Sequence, residues 1–182
     1  MINWDEQWAQ FAENFYDGKA HISLGNATLL LLPGPGFGDL SHPTTRLMLQ
    51  LMAGRVKNQT VLDIGCGSGI LTLAALLLGA KSAIGIDIDP EALVHAKKNA
   101  KLNNLNATFT DKIPSKHYSI ALMNMILPEQ KAVTKPQADL WITSGILVQQ
   151  RKEYHALTET CDWKLLEEKR CGEWLGFVFK EM

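Results

Sequence analysis

Apolar and polar positions follow two rhythms along this chain, and each change of rhythm marks an element. Trp4, Trp8, Phe11 and Phe15 recur at spacings of four, three and four. That stripe predicts one face of a short N-terminal helix, used for packing. Residues 27–32 form a strand-like run, which Pro33-Gly34-Pro35-Gly36 interrupts. A helix is predicted from about Pro43, capped by Ser41 or His42, with Leu47, Met48, Leu51 and Met52 on the helical period. Strands are predicted at 60–64, 82–86, 107–110, 118–123 and 140–147. The long apolar run from Ile70 to Leu78 reads as a helix after a tight glycine turn. Asp89-Pro90 supplies a cap and a first-turn proline for another helix, which turns Ala92, Leu93, Ala96 and Ala100 inward and places Lys97, Lys98 and Lys101 late. A helix at about 150–160 and a hairpin of 163–168 with 174–179, turning at Gly172, close the chain.

Strands separated by helical crossovers imply an α/β fold, with a mostly parallel sheet covered by helices on both faces. The final hairpin adds one antiparallel strand. Ligands of such sheets bind at the carboxyl ends of the strands, where the chemically suggestive residues fall. Asp63-Ile64-Gly65-Cys66-Gly67-Ser68-Gly69 reads as strand, glycine turn, helix. Glycine permits φ > 0 and close approach of a ligand, and the following helix start offers unpaired N–H groups. A dinucleotide fingerprint needs G-x-G-x-x-G; here the third glycine arrives one residue early, at Gly69. The Asp63 carboxylate either takes hydrogen bonds from the turn's own amides or reaches a ligand ammonium. Asp87 ends the second strand of this unit, 22 residues beyond Gly65, where an acid meets the hydroxyls of a ribose; a strand-end cap is the alternative.

At 182 residues, 46% hydrophobic and 20% charged, the chain has the length of one domain. The reading is a single unit over 1–182. A net charge of −1 gives no basic surplus for direct nucleic-acid binding. Three cysteines lie far apart without C-x-x-C spacing, which points to a reducing, cytoplasmic setting. The first residues lack a signal peptide's basic region and apolar core, and the apolar run after Ile70 is too short to span a bilayer, so no membrane association is expected. The histidines show no ligand spacing, and no metal is predicted. The G-x-S-x-G elbow of serine hydrolases is absent.

The acid-x-G-x-G-x-G run from Asp63 resembles the first motif of class I S-adenosylmethionine-dependent methyltransferases. The likeness extends, in order, through Phe37-Gly38, His42-Pro43-Thr44-Thr45, Asp63 to Leu71, Gly85 to Pro90, Asn124-Met125-Ile126-Leu127, Ser144 to Leu147 and Gly172-Glu173-Trp174. Together these resemble the catalytic domain of the bacterial ribosomal protein L-eleven methyltransferases, which methylate lysine and N-terminal amines of a ribosomal stalk protein. The resemblance implies a Rossmann-like fold with a seven-stranded sheet, and S-adenosyl-L-methionine as cofactor. It implies that Gly65 and Gly67 pass beneath the cofactor, that Asp87 holds its ribose, and that Thr45 and Asn124 contact it. It further implies that Asn124 lies near the reacting methyl, with a hydrogen bond to the incoming amine; helix-start and strand-end roles are the alternatives for these two residues. Asp111 meets the adenine amine or is a solvated loop acid, and His42 is read as a helix-start residue without catalytic duty. Residues 1–20 resemble the linker before the family's catalytic domain, so the domain that recognises the ribosomal protein is not expected here. Asp39-Leu40-Ser41-His42 departs from the family's Thr-Gly-x-His. Met125 and Ile126 replace the prolines of the Asn-Pro-Pro-Tyr signature, against glutamine or nucleobase methylation. The expectation is N-methylation of a protein amine, ribosomal or not; the alternatives are a small-molecule acceptor or a non-catalytic cofactor-binding subunit.

Overall fold

A computed structural model describes residues 3–11, 14–38, 41–134 and 137–182. Helix α1 (Trp4–Phe11) is followed by a small antiparallel sheet of β1 (Phe15–Tyr16), β2 (Lys19–Leu24) and β3 (Ala27–Leu31). Then come α2 (Pro43–Met52), β4 (Thr60–Ile64), α3 (Ile70–Leu77), β5 (Ser82–Ile86), α4 (Pro90–Leu102), β6 (Thr108–Thr110), β7 (Tyr118–Asn124), α5 (Leu127–Ala132), β8 (Ala138–Leu147), α6 (Arg151–Glu159), β9 (Trp163–Cys171) and β10 (Trp174–Glu181).

The main sheet has the order β6-β5-β4-β7-β8-β10-β9. It is parallel from β6 to β8, and β10 runs antiparallel to both of its neighbours. Successive side chains point to opposite faces of a strand, and this alternation feeds two cores. Val61, Ile120, Leu122, Ile142 and Val178 join α2, α3, α4 and the small sheet on one face. Leu62, Ile64, Ala121, Met123, Trp141, Phe177 and Phe179 join Leu127 and Tyr154 on the other. Burial on both faces explains why these strands read as continuous apolar runs.

One packing expectation is corrected. The N-terminal helix ends at Phe11, and Phe15 belongs to a strand. Asp17 and Gly18, both at positive φ, make a tight reversal between Tyr16 and Lys19, and Asn14 bonds to His21 through backbone and side chain. Phe15 still meets Trp8 edge-on at 6.4 Å, so the aromatic contact survives without a continuous helix. Among the described residues no helix is long and apolar enough to cross a membrane.

Candidate functional site

The registers of three adjacent strands assemble the site. Ile64 pairs with Ile86 on one side and with Met123 on the other. The next residues, Gly65, Asp87 and Asn124, therefore stand side by side at the carboxyl edge of the sheet. Gly65 and Gly67 have φ of 71° and 53°, a region that side chains resist. The Gly65 and Cys66 N–H groups both donate to the Ile86 carbonyl at 2.8 Å. Gly67 N–H donates to Asp87 Oδ2 at 2.9 Å, and Asp89 N–H to Asp87 Oδ1 at 3.0 Å. Asp87 thus caps two backbone groups, the alternative foreseen for a strand-end acid, and remains part-exposed. A Cβ on Gly67 would lie 2.6 Å from the Phe37 carbonyl oxygen, and one on Gly65 would lie 2.5 Å from Met125 Sδ. Contact with the Phe37 backbone already demands glycine at position 67, whereas at Gly65 the neighbour is the flexible end of Met125 and the positive φ is what favours glycine.

Asp63 sits beneath the turn, fully buried. Its Oδ2 accepts from the Thr72 backbone N–H at 3.0 Å and the Thr72 hydroxyl at 2.6 Å. Its partners thus lie on α3 rather than in the glycine turn. Burial pushes its pKa from 3.8 to about 7, with the Thr72 hydrogen bonds opposing and the nearby Asp87 charge adding to the rise. The Cys66 thiol is also pushed up, first by burial and then by Asp63 and Asp87.

Four buried side-chain polar atoms among the described residues have no hydrogen-bond partner, and three belong to this site: Thr45 Oγ1, Asp63 Oδ1 and Asn124 Oδ1. The fourth, Tyr118 OH, belongs to the first residue of β7, at the opposite end of the sheet. Strand parity puts Asp63 with Val61, and Asn124 with Ile120 and Leu122, on the face covered by α2. Thr45 lies in the first turn of that helix. Buried polar atoms are normally paired, so these three oxygens leave hydrogen-bonding capacity open to a polar ligand. These donors and acceptors fit an amino-acid-bearing nucleoside.

His42 caps α2, its Nδ1 lying 3.4 Å from the Thr44 N–H and 2.8 Å from the Thr44 hydroxyl. Its ring stands edge-on to Phe37 and Trp174. Asp111 is exposed just beyond β6, whose Thr110 carbonyl accepts from Asp87 N–H at 3.2 Å. The Asp39-Leu40 departure lies outside the described residues. Cavities of about 650 and 330 Å³ flank α1 and the 32–38 loop, and the smaller is lined by Phe37 and Gly38, next to the glycine turn, and by His42 at the start of α2. Among the described residues no group of three His, Cys, Asp or Glu side chains could hold a metal ion.

Two polar arrangements had passed unnoticed in the sequence. Asn99 and His95 on α4, with Asn103 at its C-cap, line the free edge of β3 and its exit loop. Asn103 Oδ1 accepts from Leu30 N–H at 2.8 Å, and Asn99 Oδ1 accepts from Leu32 N–H at 2.9 Å. Asn99 Nδ2 donates to the Ser68 carbonyl at 2.9 Å, and His95 Nδ1 accepts from Gly36 N–H at 3.2 Å. The loop carrying Phe37 is thereby tied to the glycine turn. The second arrangement joins Gln130, Thr143, Ser144 and Tyr154 beneath the Asn124 loop; two hydroxyls inside the apolar run of β8 were its signal.

The strand order, the glycine turn and the acid on the neighbouring strand define a Rossmann-like class I methyltransferase fold. A family model described as ribosomal protein L11 methyltransferase (PrmA) matches residues 19–182, and the chain belongs to that family. A ribosomal protein L11 methyltransferase of Neisseria meningitidis serogroup C is 44% identical over 134 residues, covering 69% of this chain and 45% of the relative. One from serogroup B is 43% identical over 171 residues, covering 82% and 58%. The crystal structure of a ribosomal protein L11 methylase from Lactobacillus delbrueckii subsp. bulgaricus superposes with a TM-score of 0.72 at 26% identity, covering 78% of this chain and 80% of that one. The chain spans about half the length of these curated relatives.

Proposed function

We propose that this chain, working as one unit over residues 1–182, is an S-adenosylmethionine-dependent methyltransferase acting on a lysine or N-terminal amine of a protein, with a ribosomal protein as acceptor. The observation that carries the reading is the set of unpaired buried oxygens on Thr45, Asp63 and Asn124 beside the glycine turn. Asp63 Oδ1 suits the ammonium of the cofactor's methionine part, and the Thr45 hydroxyl, in a helix's first turn, suits its carboxylate. Gly65 and Gly67 leave the turn's backbone close to that part, and Asp87 suits the ribose hydroxyls. Ile88, 93% exposed immediately after Asp87, offers apolar surface for a purine ring.

When bound, the cofactor supplies an electrophilic methyl group on a sulfonium sulfur. The chain's task is alignment, exclusion of water and management of the acceptor's proton. Asn124 Oδ1 accepts a hydrogen bond from the acceptor N–H and aims the nitrogen lone pair. A free lysine amine, pKa about 10.4, is neutral only about once in 2,500 at pH 7, a deficit of about 4.6 kcal/mol; an N-terminal amine near 7.8 costs about 1 kcal/mol. An apolar approach depresses an amine's pKa, and Phe37 and Ile126, both about half exposed beside the site, supply such surface. A ribosomal acceptor puts the place of action in the cytoplasm.

Two measurements test the proposal. S-adenosylmethionine at about 100 times its dissociation constant should add about 2.7 kcal/mol of stability while NAD adds nothing. Asp87→Ala should weaken adenosylhomocysteine binding at least about 100-fold by calorimetry, in line with the loss of charge-assisted bonds; retained affinity would overturn the reading. Label appearing in small metabolites rather than in protein would replace the acceptor class.

A further inference from the structure

β7 ends on Asn124, and the chain then turns sharply into α5. Prolines, which fix φ, are absent at Met125 and Ile126, so something else must hold the turn. That holder is Gln130, on α5 and 1% exposed. Its Nε2 spends both hydrogens inside the protein, donating to the Met125 carbonyl at 2.6 Å and to the Ser144 carbonyl at 2.8 Å. Its Oε1 accepts from the Tyr154 hydroxyl at 2.9 Å, and that hydroxyl also lies 2.7 Å from Thr143 Oγ1. Ser144 Oγ donates in turn to the Leu175 carbonyl at 2.9 Å. Gly145 closes the clamp, because a Cβ there would collide with the Met125 carbonyl. One amide therefore ties the Asn124 loop to β8, and through Tyr154 to α6.

The consequence concerns hydrogen-bond acceptors. At this edge Asn124 Oδ1 is buried and unpaired, whereas the adjacent Met125 carbonyl accepts from Gln130 Nε2. We propose that Gln130 is a positioning residue for methyl transfer: it commits the Met125 carbonyl to the interior and leaves the Asn124 side chain as the loop's acceptor for the substrate amine. This rests on the methyltransferase reading of the same site. A buried amide with all these bonds satisfied specifies one arrangement, and a partly satisfied one costs several groups at once.

The test compares the full chain with Gln130→Leu and Tyr154→Phe. Adenosylhomocysteine affinity is measured by calorimetry, backbone amide hydrogen exchange at 125–128 and 61–64 by mass spectrometry, and labelled methyl transfer to recombinant ribosomal protein L11. For Gln130→Leu, exchange at 125–128 should quicken at least tenfold with 61–64 unchanged. Affinity for adenosylhomocysteine should stay within twofold, and kcat should drop at least tenfold with KM for the acceptor little altered. Tyr154→Phe, which keeps both Nε2 bonds, should show the same pattern at a smaller amplitude, and it replaces Gln130→Leu if that variant does not fold. Unchanged kcat, or exchange rising equally at 61–64 and 125–128, overturns the proposal. Should wild-type protein fail to bind adenosylhomocysteine, the functional reading falls, while the exchange comparison still reports on the clamp.

Discussion

Asp63 holds a carboxyl group that the fold prefers neutral and a ligand ammonium would prefer charged. Its folded pKa of about 7 lies above the ordinary 3.8, chiefly through burial. Between those values the folded protein binds the extra proton, so the contribution to stability is complete below 3.8 and is lost as pH rises through about 7. At pH 8 the buried charge costs the ligand-free protein up to about 4 kcal/mol, from 1.36 kcal/mol per pKa unit. Asp63→Asn keeps an acceptor for Thr72 and removes that cost. The variant should melt several degrees above wild type at pH 8 and close to it at pH 4 when scanned without ligand. Adenosylhomocysteine should bind it at least about tenfold more weakly, since a charge-assisted contact is gone. Higher stability with undiminished affinity would remove Asp63 from the cofactor site. The spacing of Asp63 before the glycines was legible in the sequence. That one of its oxygens is spent on Thr72 was not, because that pairing depends on how the first turn of α3 folds back over β4.

Polar residues on α4 show where periodicity alone misleads. The apolar stripe of Ala92, Leu93, Ala96 and Ala100 was legible, and it is buried. His95, Asn99 and Asn103 share the same four-residue rhythm, yet a polar stripe looks like a solvent face until its partner is known. Its partner is the unpaired edge of β3, whose N–H groups would otherwise be buried without acceptors. Asn99→Ala strands the Leu32 N–H and the Ser68 carbonyl together, at about 2–4 kcal/mol for the two. The melting temperature should fall by roughly 5–12 °C, and exchange at the Leu32 amide should quicken by at least a hundredfold. An unshifted melting curve would mean that water replaces both bonds at no cost. The β1–β2–β3 sheet was itself half legible: Asp17-Gly18 and Gly25-Asn26 are the dipeptides that two-residue hairpins favour. The aromatic spacing across 4–15 drew attention to a helix instead.

At the scale of the whole molecule, one sheet edge gathers residues separated by 79 positions, from Thr45 to Asn124. Alternating strands and helices predicted a parallel sheet, and the placement of Gly65 between Asp87 and Asn124 follows from β4 lying between β5 and β7. That order cannot be counted from spacing; only the family likeness implied it. The assembled edge offers Asn124 and Thr45, which do not titrate, Asp87, tied to two backbone amides, and Asp63, whose free oxygen is assigned in the proposed binding mode to the cofactor's ammonium. On that proposal no group is left over to take a proton from the acceptor, which then arrives neutral. Its own ionisation then governs the pH dependence of transfer. With a lysine acceptor, kcat/KM should climb about tenfold per unit from pH 7 to pH 9; with an N-terminal amine it should flatten above about pH 8. Single-acceptor peptides bearing one amine or the other, assayed with labelled cofactor across that range, separate the two cases. A profile flat from pH 6 with both peptides would require a base that this edge does not supply, and would overturn the neutral-acceptor reading.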